Sequence, residues 1–277
     1  MPLKTQFVVH SVNFNLSLRK KCFPSFWKLA NVIAVFKKSD KSIHSNYRPI
    51  SLLSCVSKIF ERTVFKYVFN HISRHTYIHK LQSGFLPGYS TTHQLFENQT
   101  PLTLTFCDVS KAFDRVWIRG LIYKLEKCGV RGDILEWFKI YFTDRKQKVV
   151  LNNTESEVVC LYAGVPRRSV LVPILFLIYI NDISDHTDGI CRLFADDTSL
   201  GHTSNDLQNL QDMVNSDLSN IKKWSEDWLI TFNPDKTDIM LFDSRRQGNL
   251  NFKFGQTDIL CVDFHAHLSI VFSSDGK

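Results

Sequence analysis

Three carboxylates stand at the ends of two apolar segments, in positions that suit the binding of divalent cations. Asp108 follows Thr103–Cys107 (TLTFC), and Asp196 and Asp197 follow Cys191–Ala195 (CRLFA). Carboxylates held close together raise each other's pKa and oppose folding, so positive charge is needed between them. Hard divalent cations with oxygen ligands supply it, and two such ions can hold the attacking and leaving oxygens of a phosphoryl transfer. Aspartates that only form turns or caps are the alternative, and the apolar strand before each position counts against it.

The elements that must position these carboxylates mix strands and helices without a regular βαβ alternation. Apolar residues that recur every three or four positions predict helices, and β-rich or alternating runs predict strands. Ser54 is a suitable N-cap for the first helix, and Gly129 is a suitable end for the second. The pattern favours the α+β class. The predicted helices cover Val56–Val68, Leu121–Cys128, Val170–Ile180 and Leu207–Trp228, and the predicted strands Trp27–Phe36, Thr103–Asp108, Gln147–Leu151, Glu157–Tyr162, Ile190–Leu200 (with a tip at Ala195–Thr198) and Asp238–Phe242.

The composition is that of an ordinary globular protein with a mildly basic balance. Of 277 residues, 44% are hydrophobic and 22% are charged, which excludes disordered and low-complexity classes. Lys and Arg number 34 and Asp and Glu 27, so the formal net charge is +7 and the pI about 9.0. This charge fits a polyanionic partner, and it also fits a globular protein without one.

Cysteine usage and hydropathy indicate an intracellular protein, either cytoplasmic or nuclear. The seven cysteines are scattered and form no CxxC pair, which argues against a disulfide framework and a zinc ribbon. The longest apolar run, Val170–Ile180, is shorter than the roughly 20 residues that span a bilayer, and Met1–Lys4 leads into no signal peptide. We expect no membrane partner and no disulfide-linked partner, and the oligomeric state stays open.

Six segments that could form a site follow one another in a fixed order. They are Tyr47–Ser51 (YRPIS), Gln82–Phe85 (QSGF), Phe106–Trp117 (FCDVSKAFDRVW), Gly164–Pro166 (GVP), Phe176–Asp182 (FLIYIND) and Phe194–Asp197 (FADD). In this order they resemble the reverse transcriptase domain of non-LTR (LINE-type, jockey-like) retrotransposons. One FADD motif is unspecific, whereas six motifs in this order are specific, and the resemblance runs from about Phe23 to Lys277.

The resemblance implies an RNA-directed DNA polymerase that transfers a nucleotide from a dNTP to the 3′ hydroxyl of a DNA primer on an RNA template. Two Mg²⁺ ions are the implied cofactors, with Mn²⁺ as an alternative. Asp108 is implied as the first metal ligand, Val109 as a ligand through its carbonyl, and Asp196 as the second metal ligand. Asp197 is implied as its neighbour at the hairpin tip. Lys236 matches a lysine that can protonate the leaving pyrophosphate. A two-metal nuclease would use the same carboxylates, but it leaves the YRPIS segment unexplained.

The resemblance also implies contacts to the incoming nucleotide. Phe113 matches a bulky ring under the sugar, which excludes a 2′ hydroxyl by steric conflict. Lys38 and Arg48 match residues that hold the triphosphate, with Lys37 as suitable as Lys38. Arg167 takes the place of a glutamine near the nucleotide. A buried aromatic ring and a solvated basic face are the alternative readings of Phe113 and of the basic pair.

Several departures from the family pattern leave a second interpretation open, a catalytically impaired remnant with at most nucleic-acid binding. The family's Pro-Gln-Gly-Ser is Pro166–Ser169 (PRRS) here, so Arg168 stands where a glycine lets the backbone approach the new base pair. Val172 replaces a later glycine, for which we expect a positive φ or close packing. Residues 95–103 form a shorter segment than the helix and loop usual there.

The expected architecture is α+β, the right-hand polymerase fold, with fingers around a palm made of a small antiparallel sheet backed by helices. We expect the carboxylates of Asp108 and Asp196 to lie within reach of a shared metal, and we expect no thumb; the sequence does not tell whether thumb, endonuclease and zinc-knuckle regions belong to a longer parent. The boundaries are 1–22 for an N-terminal segment and 23–277 for the reverse transcriptase domain, with fingers over roughly 23–104 and 147–180, palm over roughly 105–146 and 181–245, and the start of a primer-contacting region at 246–277.

Overall fold

A computed structural model describes residues 14–86, 103–152, 154–242, 250–268 and 270–274. The chain divides into two units, Met1–Tyr77 with Val116–Ile178, and Ile78–Arg115 with Tyr179–Lys277. Each unit has its own sheet and its own helices, so the predicted mixture of helix and sheet is confirmed.

The first unit contains a five-stranded sheet in the order β2-β1-β4-β5, with β6 also paired to β4. β1 pairs antiparallel with β2, which places Val35 opposite Arg48. The first strand begins at Leu29, two residues later than predicted, because Ser25–Trp27 form a 3-10 turn. β1 also pairs in parallel with β4, a long-range pairing that the sequence pattern did not predict. The bounds are β1 Leu29–Phe36, β2 Tyr47–Leu52, β4 Arg145–Leu151, β5 Thr154–Glu155 and β6 Val159–Leu161.

The longest helix of the first unit, α1 (Cys55–Arg74), begins where the sequence predicts. Ser54 is its N-cap and accepts a hydrogen bond from the backbone N–H of Ser57. Phe60, Val64 and Val68 of the apolar stripe are buried, Val56 is half-buried, and Tyr67 is 72% exposed. The buried face also includes Glu61, a carboxylate that the sequence pattern did not assign to the core.

Two further helices, α2 (Ile118–Lys127) and α3 (Asp133–Phe142), complete the core of this unit. Gly129 follows α2 with φ +84°, as predicted for the residue that ends the helix. Trp137 and Tyr141 of α3 stack on each other, with 5.1 Å between ring centroids, and they form edge contacts with other buried rings. The apolar helix predicted after Pro166 is α4 (Val172–Ile180), and it is almost wholly buried.

The second unit contains a four-stranded antiparallel sheet in the order β7-β8-β3-β9. The long helix α5 (Leu207–Asp227) packs against β8 and β10; the predicted apolar stripe is buried from Leu210 to Trp224 and half-buried at its two ends. Two hairpins follow the sheet. The bounds are β3 Thr103–Asp108, β7 Ile190–Phe194, β8 Asp197–His202, β9 Asp238–Leu241, β10 Phe252–Phe254, β11 Thr257–Ile259, β12 Phe264–His267 and β13 Ile270–Ser273.

A buried carboxylate on α5 connects this helix to the sheet. Asp217 lies 2.8 Å from the Nε2 atom of His202 and accepts hydrogen bonds of 2.9 Å from the backbone N–H groups of Asp188 and Gly189. Burial alone would raise the pKa of Asp217, but these hydrogen bonds outweigh it and hold the pKa below its usual range. Asp217 thus ties α5 to the start of β7 and to β8.

The two units are defined by packing, whereas fingers and palm are defined by function. The helices α2 and α3 pack with the first unit, although the predicted palm includes residues 105–146. The division into fingers and palm therefore stays a prediction. No helix in the described ranges is both long enough and apolar enough to cross a bilayer, and the seven cysteines, all within those ranges, form no disulfide.

Candidate active site

Two of the three predicted carboxylates face each other across neighbouring strands of the second unit. The register of β3 and β8 places Asp108 directly opposite Asp197. Residues opposite each other in an antiparallel pair project to the same face of the sheet. They line a cleft of about 350 Å³. The cleft is also lined by Lys236, Asp238, His265 and His267.

The turn of the hairpin that carries Asp196 and Asp197 is shorter than the predicted tip, Ala195–Thr198. Phe194 pairs with Asp197, so the turn contains only Ala195 and Asp196 rather than four residues. Ala195 adopts φ +57°, as the first residue of such a two-residue turn often does. Asp197 therefore opens β8 and faces Asp108, while Asp196 is not among the described residues that line the cleft. The assignment of Asp196 as second metal ligand stays a prediction.

The negative charge of the carboxylates in the cleft is only partly compensated. Burial, followed by repulsion from Asp196 and Asp108, raises the pKa of Asp197 to about 6, against an opposing effect of Lys236. The Nζ atom of Lys236 lies 3.2 Å from Oδ2 of Asp108, but the lysine side chain is 65% exposed. An ion pair so exposed contributes little to stability. The cleft thus retains an affinity for further positive charge.

A short backbone pairing holds Asp108, Val109 and Lys236 in place. The N–H of Asn233 donates to the carbonyl of Asp108 at 2.9 Å, and the N–H of Ser110 donates to the carbonyl of Thr231 at 2.8 Å. These bonds flank the bridge of Val109 to residue 232 and do not use the Val109 carbonyl. The Asn233 side chain also caps the 3-10 turn that carries Lys236.

The donors at this cleft fit a hard divalent cation. The lining carboxylates of Asp108 and Asp197 are oxygen donors, and the predicted ligands Val109 and Asp196 are their neighbours in the sequence. Their repulsion, visible in the raised pKa of Asp197, is the repulsion that a bound cation relieves. Within the described ranges, no three His, Cys, Asp or Glu side chains are already arranged as a metal site.

The QSGF segment packs against the carboxylate turn (Ala195 and Asp196) and hydrogen-bonds to it, a role that the sequence did not reveal. The amide oxygen of Gln82 accepts hydrogen bonds from the N–H of Gly84 at 2.8 Å and from the N–H of Ala195 at 3.3 Å. The N–H of Ser83 donates to the carbonyl of Leu193 at 2.9 Å. At Gly84 a Cβ would lie only 2.3 Å from the Ala195 nitrogen, so this close approach requires glycine. The segment thereby fixes the two-residue turn that contains Asp196.

Two histidines of β12 form another wall of the cleft. The ring of His265 stacks on Phe106, with 4.0 Å between centroids, and its Nδ1 lies 2.7 Å from Oδ2 of Asp238. His267 is buried, and its Nε2 has no hydrogen-bond partner among the described residues. Burial, with a smaller effect of His265, lowers the pKa of His267 to about 4.

His267 predicts a loss of stability in mild acid. The unfolded chain takes up a proton near pH 6.5 and the folded chain only near pH 4, so His267 stabilises the fold fully above pH 6.5 and progressively less below it. We expect the free energy of unfolding to fall by about 2 kcal/mol more in the native protein than in His267→Leu between pH 7 and pH 4. Urea titrations across this range measure it, and parallel pH profiles for the two proteins would contradict it.

The predicted nucleotide contacts are divided between the two units. Phe113 lies in the second unit on a 3-10 turn (Ala112–Asp114), half-buried, with its ring 6.4 Å from that of Phe85. The others lie in the first unit. There, Lys38 follows β1 and Arg48 lies on β2, both exposed, and Arg167 lies half-buried before α4. All four assignments, that of Phe113 included, stay predictions.

The altered loop before α4 shows what the family's glycine provides. Arg168 adopts φ +66°, a left-handed conformation that costs a non-glycine residue strain. Val172 does not: it is not among the positive-φ residues and lies buried at the start of α4. The expectation of a positive φ there is wrong, and close packing is the constraint that the structure shows. Most of the short segment 95–103 lies outside the described residues.

Comparison with known sequences gives one family match and several relatives that all describe the same class of enzyme. Residues 36–262 match the family model described as reverse transcriptase (RNA-dependent DNA polymerase). The chain is 31% identical over 244 residues to "Probable RNA-directed DNA polymerase from transposon BS" of Drosophila melanogaster. It is 29% identical over 252 residues to "RNA-directed DNA polymerase from mobile element jockey" of the same species. These matches cover 81% and 84% of this chain, which spans about a quarter (27%) of each relative's length.

Solved telomerase structures share the fold. Telomerase from Candida albicans, in complex with the TWJ fragment of telomeric RNA, has a TM-score of 0.53, and the match covers 95% of this chain and 49% of that one. Apo telomerase from Candida tropicalis has a TM-score of 0.56, with 97% and 53% covered. At 13% and 12% identity, the likeness concerns the fold alone. It confirms the right-hand polymerase fold that the sequence predicts.

Proposed function

Because the chain belongs to the reverse transcriptase (RNA-dependent DNA polymerase) family, we propose that it is the polymerase domain of a retrotransposon, extending a DNA primer on an RNA template. The resemblance seen in the sequence is confirmed by the family match and by the relatives. The family generally uses divalent metal ions. Two Mg²⁺ ions, with Mn²⁺ as an alternative, are the cofactors that we propose for this chain.

The observation that carries the proposal is the pair of carboxylates on facing strands. Asp108 and Asp197 share one face of the sheet, Asp196 is in the adjoining turn, and Lys236 reaches Asp108. A chain gains no stability by burying like charges together: burial, followed by repulsion from Asp196 and Asp108, raises the pKa of Asp197. Chemistry on a polyanionic substrate with divalent cations accounts for this cost.

The residues of the cleft divide the work of nucleotidyl transfer. Bound cations would activate the primer hydroxyl and stabilise the leaving pyrophosphate. Asp108, Asp196 and the Val109 carbonyl would hold these cations, and Asp197 adds negative charge on the same face as Asp108. Lys236, whose Nζ atom donates to Oδ2 of Asp108 at 3.2 Å, would protonate the leaving pyrophosphate.

The remaining residues would select and hold the dNTP. Phe113 would lie under the sugar and exclude a 2′ hydroxyl. The cationic side chains Lys38 and Arg48, exposed on the β1–β2 hairpin, are available for the triphosphate. Arg167 would contact the nucleotide from the loop before α4.

Primer extension tests the proposal. The substrate is a DNA primer annealed to an RNA template, with Mg²⁺ and four dNTPs, and Asp196→Ala is the control. Extension that needs all four nucleotides and is lost in Asp196→Ala supports the function. Template-independent addition, or equal extension by both proteins, would contradict it.

One observation favours a second candidate, an impaired remnant that only binds nucleic acid. Arg168 is strained and places a long charged side chain where the family has glycine. This candidate retains salt-sensitive binding of a primer–template duplex through phosphate contacts, with no extension.

The altered loop predicts a gain on repair. We expect Arg168→Gly to raise the free energy of unfolding by about 1 kcal/mol, because glycine adopts positive φ without strain. Asn152→Gly is the matched control: asparagine tolerates its φ of +49°, so this change should have almost no effect. Urea denaturation compares them, and equal shifts for the two variants would contradict the prediction.

The same repair discriminates between the two candidates. An enzyme disabled only at this loop should regain primer extension in Arg167→Gln/Arg168→Gly. Val172 is left unchanged, because it is buried and its replacement by glycine would open a cavity at the start of α4.

A further inference from the structure

The most thoroughly bonded carboxylate of the first unit lies outside every role described so far. Glu61 is fully buried on α1. Its Oε1 accepts hydrogen bonds from Ser57 Oγ at 2.9 Å and from the Tyr141 hydroxyl at 3.3 Å. Its Oε2 accepts from the backbone N–H of Val170 at 2.9 Å. A buried carboxylate is costly unless its oxygens are satisfied, and an apolar residue would fill the same space without that cost.

These bonds lead from α1 to one loop. Besides the direct bond to Val170, the Tyr141 hydroxyl lies 2.8 Å from the Ser169 Oγ atom. That Oγ atom accepts a bond from the N–H of Leu171 at 3.0 Å, and the N–H of Ser169 donates to the carbonyl of Pro166 at 3.0 Å. The C-terminal part of the segment 166–171 is therefore held by Glu61 and Tyr141, and the bond from Ser169 to Pro166 closes a turn within the segment.

The two arginines are the central residues of this turn. Arg167 is half-buried and Arg168 is exposed with φ +66°, a conformation that persists only where the surroundings impose it. Glu61 and its partners supply that constraint: without the bonds to residues 169–171, the loop could relax Arg168 to negative φ and move Arg167.

We propose that Glu61 is a positioning residue that fixes the 166–171 loop and thereby presents Arg167 to the incoming nucleotide. The second part rests on the proposed function, whereas the first part is a property of the fold. The two are separable because Glu61 touches the loop and not the nucleotide.

Two substitutions at this position give opposite expectations. Glu61→Leu fits the buried site but leaves the Val170 N–H without its acceptor. Glu61→Gln rescues the loop, because its amide oxygen accepts from Val170 while its amide nitrogen donates to the two hydroxyls, which can also act as acceptors. Ser57→Ala is the matched control, since it removes only the partner within α1. Tyr141→Phe removes the hydroxyl that joins Glu61 Oε1 to Ser169 Oγ and keeps the bond of Glu61 to Val170; it serves as the second variant if Glu61→Leu fails to fold.

Limited digestion with trypsin measures the opening of the loop and does not depend on polymerase activity. Cleavage after Arg167 and Arg168, followed by mass spectrometry on the folded protein, tracks how often the loop opens. We expect cleavage about tenfold faster in Glu61→Leu and measurably faster in Tyr141→Phe. Glu61→Gln and Ser57→Ala should cleave at the native rate. Native cleavage in Glu61→Leu would overturn the proposal, whether or not the chain is a polymerase.

Steady-state kinetics of primer extension test the second part of the proposal, the presentation of Arg167 to the nucleotide. We expect the KM for dNTP to rise about tenfold in Glu61→Leu with kcat within a factor of about three, and Glu61→Gln to restore both. Faster cleavage with an unchanged KM would overturn the role of Glu61 toward the nucleotide. If the native chain extends no primer, the proposed function fails, and faster cleavage in Glu61→Leu still supports the hold of Glu61 on the loop.

Discussion

Asp108→Asn is expected to abolish primer extension while leaving the fold intact or slightly more stable. Asparagine keeps the shape of the side chain but removes the charge that would bind a divalent cation. A loss of roughly 4 kcal/mol of transition-state stabilisation corresponds to about a 10³-fold slower extension. Burial and then Asp196 raise the pKa of Asp197 most, and the same change removes the smaller repulsion from Asp108, so the free energy of unfolding should stay constant or rise by about 1 kcal/mol.

Single-turnover extension and urea denaturation measure the two effects of Asp108→Asn. Asp258→Asn is the matched control: it removes a carboxylate that is 70% exposed in the same unit and does not line the cleft, so extension should be unchanged. Extension by Asp108→Asn at more than a tenth of the native rate would contradict the assignment. A marked loss of stability would show instead that Asp108 is a structural residue.

Much of the fold follows from local patterns along the chain. The helix capped by Ser54, the glycine after α2, the apolar helix α4 and the stripe of α5 all lie where periodicity and capping chemistry predict them. Each depends on residues within a few positions of one another. The parallel pairing of β1 with β4 depends instead on residues more than 100 positions apart, which a local pattern does not specify.

The candidate site was predicted in its residue types and only partly in its geometry. The two strands and their aspartates are present, but strand register decides which aspartate faces Asp108, and a four-residue tip hides that register. A two-residue turn places Asp197 on the strand instead. The contact between Gln82 and Ala195 joins residues 113 positions apart and has no periodic signal.

The buried carboxylates do have a signal in the sequence. Glu61 and Asp217 each occupy a position on the apolar face of their helix, three or four residues from buried apolar neighbours. An acidic residue there must be bonded to groups beyond its helix, because its own helix offers few free donors. The pattern therefore identifies residues that fix a distant loop or strand, although not which one.

Gly84→Ala should have the largest effect on stability of the changes considered. Its new Cβ would lie 2.3 Å from the nitrogen of Ala195 and 2.8 Å from the carbonyl carbon of Phe194, both of them backbone atoms that cannot move aside like a side chain. The QSGF segment or the carboxylate turn must shift. We expect a loss of about 3 kcal/mol in the free energy of unfolding, at the upper end for overpacking.

A shift of the turn also displaces Asp196 and Asp197, so extension per folded molecule should fall as well. Misplacement of catalytic groups by about 1 Å costs roughly a hundredfold in rate. Gly132→Ala is the matched control, because Gly132 has φ +63° but no atom within 4 Å of the added Cβ; it should cost about 1 kcal/mol and leave extension unchanged. If Gly84→Ala lost stability but its folded fraction extended primers at the native rate, the QSGF segment would support the fold alone. Loss of both ties the geometry of the carboxylates to a backbone contact that only glycine permits.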